Sequence, residues 1–150
     1  MERALELARA AESQGEVPVG AIIVNEHGEV IAEAANGPIA LSDPTAHAEI
    51  VAIRQACARL GTYQLTGCTV YASCEPCPMC LGAIYWARPD AVYFAATRED
   101  AAAAGFDDEI IYAELMLPAT ERTIRMRRVE SEGAAEPFRL WNENDERIPY

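Results

Sequence analysis

Cys74-Glu75-Pro76-Cys77-Pro78-Met79-Cys80 sets three sulfurs within seven residues, and Thr45-Ala46-His47-Ala48-Glu49 stands about thirty residues before it. Thiolate sulfur and imidazole nitrogen are the donors zinc prefers, and a catalytic zinc keeps three protein ligands and leaves one position open. His47, Cys77 and Cys80 make up such a set, sized for one ion per chain, and Glu49 lies two residues from the histidine.

The spacing constrains the local backbone. Cys77 and Cys80 are three apart and share one face of a helix, in a first turn where the macrodipole favours thiolates. Positions i and i+2 of a regular helix do not face each other. His47 and Glu49 can approach one metal only if the helix begins at or just before His47, so its N-terminus is expected to point at the ion. A closed Cys₃His site including Cys74, or a Cys74-x-x-Cys77 redox pair, is the competing reading. Against the closed site stand the position of Cys74 in strand or turn before Pro76 and the presence of Glu49. An open fourth position lets zinc bring water to hydroxide near neutral pH, and Glu49 is placed to shuttle the proton.

Upstream, residues 2–14 carry Leu5, Ala8 and Ala11 at helical spacing, with Gly15 as the stop. Residues 17–24 read as a buried strand, and Asn25-Glu26-His27-Gly28 is turn chemistry that returns 29–35 as the second arm of a hairpin. His27 is therefore a turn residue. A loop from Asn36 to Pro44 leads into a helix over 47–60, closed by Gly61. Its apolar stripe of Ile50, Val51, Ile53, Ala56, Cys57 and Leu60 makes Cys57 a buried thiol. Downstream, 68–73 is a strand, Pro76 opens a helix, 91–95 is a strand, 107–117 a helix and 123–129 a strand. Phe138, Leu140 and Trp141 mark a last amphipathic turn. Helices alternating with strands predict an α/β sandwich on a mixed sheet.

At 150 residues the chain is expected to be a single domain, 1–150. A formal net charge of −12 fits a long phosphate backbone poorly. Arg125, Arg127 and Arg128 form a solvated edge or a weak RNA stripe. The longest apolar run is too short to span a membrane. The charged, helical N-terminus does not suit a signal peptide. Five cysteines, three of them crowded together, favour metal chemistry in a reducing cytoplasm over disulfides.

The two motifs match the H-x-E…P-C-x-x-C signature, and together with the hairpin and two helices they resemble the cytidine/deoxycytidylate deaminase superfamily. That resemblance implies a three-layer α/β/α sandwich with a mixed five-stranded sheet and one zinc. Val17-Pro18-Val19-Gly20-Ala21 and Asp43-Pro44-Thr45-Ala46-His47-Ala48-Glu49 resemble tRNA adenosine deaminases. Ala83-Ile84-Tyr85-Trp86-Ala87-Arg88, Ala104-Gly105-Phe106-Asp107-Asp108-Glu109 and the segment from Pro137 to a terminal tyrosine resemble bacterial guanine deaminases. The activity implied first is hydrolysis of guanine to xanthine and ammonia. tRNA adenosine, guanosine, cytosine or an aminotriazine are alternative substrates, and a structural Cys₃His module is the non-enzymatic alternative.

Guanine presents ring and exocyclic N–H donors beside the attacked carbon, so a site for it needs an oxygen acceptor and amide donors. Asp108 is the expected carboxylate, Asn36 the amide, and Ala48 a further contact. Trp86 and Phe106 are expected to wall the flat base, with core packing as the alternative for each. Asp107 and Asp108 are also plausible helix caps. The resemblance further implies a homodimer that exchanges residues 137–150, with Tyr150 covering the neighbour's site.

Overall fold

The computed structural model describes residues 1–106 and 108–149. The elements in order are α1 (Glu2–Ser13), β1 (Gly20–Asn25), β2 (Val30–Ala35), α2 (Pro38–Leu41), α3 (Ala48–Leu60), β3 (Cys68–Cys74), α4 (Pro78–Ala87), β4 (Ala91–Ala96), α5 (Arg98–Ala103), α6 (Glu109–Met116) and α7 (Glu136–Glu143). They fall into two compact units, Met1–Ala113 and Glu114–Tyr150.

The sheet is mixed, in the order β2-β1-β3-β4. β1 runs antiparallel to both neighbours, and β3 and β4 are parallel. The β1–β2 hairpin turns at Asn25, whose Oδ1 accepts the backbone N–H groups of His27 and Glu29. His27 is a turn residue, as its sequence context predicts.

Alternation along β1 explains the layers. Ala21 and Ile23 join α3 residues Ala48, Ala52 and Ala56 in one core, with Val70 and Leu65 fully buried there. Three alanines at four-residue spacing put no bulk between α3 and the sheet. Gly20 faces the opposite side, towards α1. A Cβ at Gly20 would lie 2.6 Å from the Leu7 Cβ, so α1 rests directly on the β1 backbone. Ala4, Ala8 and Ala11 are the buried face of α1. Helices on both faces of a mixed sheet give the predicted three-layer α/β/α sandwich.

Several boundaries differ from the sequence reading. β1 starts at Gly20, not residue 17, because Pro18 cannot donate to the ladder. α4 starts at Pro78, not Pro76; Cys77 takes the extended cap conformation (φ −63°, ψ 168°) and Pro78 fills the first turn. α2 and α5, of four and six residues, are too short to show an amphipathic period. The expected fifth strand is absent: four strands pair among the described residues, and 123–129 is irregular. Ile124, Met126 and Val129 are exposed, so alternation there meets no surface to bury against.

Candidate active site

β2, β3 and β4 all point their carboxyl ends to one side, which is where open α/β sheets place their sites. α3 and α4 follow β2 and β3 from that side, and each begins on a metal-donor residue. His47 is the cap of α3, extended at φ −67° and ψ 150°. Its carbonyl accepts the first helical hydrogen bond, from Val51 N–H at 3.0 Å. Cys77 caps α4, and its carbonyl accepts from Leu81 N–H at 2.8 Å. The prediction that a helix starts at or just before His47 is met.

His47 Nδ1 lies 3.6 Å from Cys77 Sγ and 3.5 Å from Cys80 Sγ. Tetrahedral zinc with bonds of about 2.0 Å to nitrogen and 2.3 Å to sulfur requires N···S separations of about 3.5 Å. The donor set therefore fits the metal. The three ligand atoms all lie within 4.8 Å of one another, and Cys74 is not part of the group. Its thiol instead donates to the Thr97 carbonyl at 3.7 Å. This removes the closed Cys₃His reading.

The Cys80 S–H, and then the His47 ring, stabilise the Cys77 thiolate and pull its pKa down to about 4; in turn, Cys80 is pushed up. His47 is raised, mainly by the Cys77 sulfur.

Glu49 is 3% exposed, and its Oε2 has no hydrogen-bond partner among the described residues. Burial, more than neighbouring charge, raises its pKa. A buried carboxylate oxygen without a partner costs free energy, and Glu49 lines a cavity of about 600 Å³. That volume lies in the range of small-molecule sites.

The cavity brings together His47, Glu49, Cys77, Asn36, Phe106 and Asp108. Asn36 is buried, and its Oδ1 accepts the Ala48 N–H at 2.9 Å. The Ala48 amide is thereby engaged within the protein. Asp108 is half-buried, and its carbonyl accepts the N–H groups of Ile111 and Tyr112 that open α6. Trp86, expected to wall the base, sits near the end of α4, 60% exposed and outside the cavity lining. Asp107 and Tyr150 lie outside the described residues.

Sequence reasoning missed four groups. Ser73 Oγ accepts Gly20 N–H at 3.0 Å, fastening β3 to the start of β1 beneath the cavity. Arg98 lines the cavity with its guanidinium 5.4 Å over the Tyr112 ring. Tyr112 donates its hydroxyl to the Pro76 carbonyl at 3.3 Å. The buried Glu16 carboxylate accepts from Ile39 and Ala40 N–H. None stands in a motif, and each acts across 14 or more residues.

Residues 1–96 match the cytidine and deoxycytidylate deaminase zinc-binding region. The chain belongs to this family of zinc-dependent deaminases. A curated guanine deaminase of Bacillus subtilis is 57% identical over 124 residues, 83% of this chain and 79% of that protein. The crystal structure of a guanine deaminase from Bacillus subtilis superposes with a TM-score of 0.95 at 51% identity, covering 99% of this chain and 95% of the other. A tRNA-specific adenosine deaminase of Aquifex aeolicus is 53% identical over 93 residues, 62% of this chain and 61% of that protein. Among the described residues no helix is long and apolar enough to cross a membrane.

Proposed function

We propose that this deaminase hydrolyses guanine to xanthine and ammonia, with Glu49 moving the protons. The Glu49 carboxylate carries the reading: buried, with one oxygen unpartnered among the described residues, on a residue that lines the cavity beside the three-donor set. Zinc held by His47, Cys77 and Cys80 supplies Lewis acidity and brings the pKa of water towards neutrality. Glu49 takes the proton that water gives up on attacking the amine-bearing carbon. It passes that proton to the adjacent ring nitrogen, then takes the proton left on the added hydroxyl and gives it to the amine as the carbonyl forms and ammonia leaves. Asp108 accepts from the ring N–H. Asn36, its oxygen held by Ala48, donates through its amide, and Phe106 covers the base.

Two supports select guanine. The guanine deaminase of Bacillus subtilis matches at 57% identity over 83% of this chain, and the guanine deaminase structure covers 99% of it at a TM-score of 0.95; the cavity pairs an acceptor carboxylate with an amide donor. tRNA adenosine deamination is the second reading, favoured by the identity to the Aquifex aeolicus enzyme. A net charge of −12 opposes it, because tRNA binding requires neutralised phosphates. The test is ammonia release from zinc-loaded protein given guanine, guanosine, cytosine, adenine, an aminotriazine or a tRNA anticodon stem-loop, each alone. Guanine is expected to be the substrate; turnover of the stem-loop in its place overturns the reading.

The protein is further proposed to act as one domain in a homodimer that exchanges residues 137–150, in purine breakdown in the cytoplasm. The outer edge of β4 is without a neighbour among the described residues, and Tyr93 and Phe94 on it are exposed. α7 exposes Phe138, Leu140 and Trp141. Five unpaired thiols suit a reducing compartment.

A further inference from the structure

Glu16 is a buried carboxylate that the proposed chemistry does not use. Its two oxygens accept from Ile39 N–H at 3.3 Å and Ala40 N–H at 2.7 Å. Both donors belong to the first turn of α2, where helix N–H groups lack intrahelical partners. Gly37, the cap residue, has no side chain to serve them, and Pro38 has no N–H. Glu16 thus caps α2 from a distant part of the chain, and its charge suits a helix N-terminus.

The clasp joins two walls of the cavity. Val17, Pro18 and Val19 follow Glu16 directly, and all three line the cavity, as do Asn36 and Pro38 just before the amides it holds. Between these walls Asn36 N–H donates to the Val19 carbonyl at 2.9 Å; Gly37 N–H donates to the Ala46 carbonyl, next to His47, at 3.1 Å. Asn36 Oδ1 then accepts the N–H of Ala48, the residue between His47 and Glu49. An unbroken series of hydrogen bonds and short peptide links runs from the Glu16 carboxylate to the start of α3.

We infer that Glu16 is a positioning residue for base binding, fixing Asn36 by clasping α2 to the wall that carries Val17–Val19. The inference rests on the reading of the cavity as the base site. Glu16 touches no reacting atom, so it acts on the fit of the substrate and not on proton transfer.

The test compares the zinc-loaded full chain with Glu16→Ala and Glu16→Gln. Glu16→Ala is expected to raise the KM for guanine about tenfold while kcat stays within about threefold, since a positioning contact is lost without the chemical groups. Zinc should remain at one ion per chain. Glu16→Gln keeps one acceptor oxygen and should give a smaller rise, so it serves if the alanine variant fails to fold. In an Asn36→Ala background, Glu16→Ala should add less than about twofold, because coupled residues are not additive. Amide hydrogen exchange supplies a readout without substrate: Ile39, Ala40 and Ala48 N–H groups should exchange faster in both variants, with β3 unchanged. An unchanged KM with unchanged exchange at Ala48 overturns the inference, as does an equal KM effect with and without Asn36. If the wild type leaves guanine untouched, the guanine reading fails while the exchange measurement still decides the role of Glu16.

Discussion

Asn36 Oδ1 accepts the backbone N–H of Ala48 at 2.9 Å, so the helix that carries Glu49 is capped by a residue twelve positions earlier. His47 stands at the cap position but makes no capping hydrogen bond with its own side chain, and its ring faces the sulfurs instead. Delegating the cap frees the imidazole for the metal. Asn36→Ala should therefore lower stability by about 1 kcal/mol, the usual value of a lost cap. Urea unfolding of the zinc-loaded protein measures it, and unchanged stability would show the cap to be redundant.

Glu49→Gln keeps the shape of the side chain and removes the base. Turnover should fall by about 10²–10⁴, the range of general acid–base contributions. Zinc content should stay at one per chain, since Glu49 lies outside the three-donor group. Steady-state kinetics beside metal analysis checks both, and near-normal turnover at full occupancy would remove the role.

Cysteine replacements separate the two zinc arrangements. Cys74→Ser should leave zinc bound, because its thiol turns to the Thr97 carbonyl. Cys80→Ser should lose it, because Cys80 Sγ is 3.5 Å from His47 Nδ1 and fully buried. Metal content after dialysis against a weak chelator reads the difference.

Gly20→Ala would drive a methyl into α1, with the Ala4 carbonyl oxygen, the Leu7 Cβ and the Ala8 nitrogen all within 2.8 Å of it. Two of those atoms are backbone and cannot rotate away. Overpacking of this kind costs about 1–3 kcal/mol, and calorimetry should show a lower Tm. A Tm equal to wild type would mean that α1 is free to shift off β1.

Deleting Pro149 and Tyr150 should cut guanine turnover with zinc content unchanged, if the terminal tyrosine covers a neighbour's cavity. The same proposal expects a dimer by sedimentation, and removal of residues 137–150 should weaken it. An unaffected rate rules out the lid, and a wild-type monomer rules out the exchange.

The metal donors, the acid beside them and the order of the first seven large elements could be read from the chain, because each depends on local spacing. His47 and Glu49 demand a helix start wherever they occur together, and Gly61 stops that helix through its positive φ of 66°. The aromatic wall could not be read in this way. Trp86 lies six residues after Cys80, yet a helix turns 100° per residue and carries it away from the cavity. Phe106 reaches the lining from beyond β4 and α5.

What the sequence alone determined is the chemistry: one imidazole, two sulfurs and one carboxylate at spacings that a single turn of backbone converts into a metal site. What tertiary structure decided is which groups surround it. The cap of α3 comes from Asn36, the cap of α2 from Glu16, and Ala48 spends its amide inside the protein. Such partners meet because the sheet brings strand ends together, and a hydrogen bond across twelve or more residues leaves no period or motif along the chain.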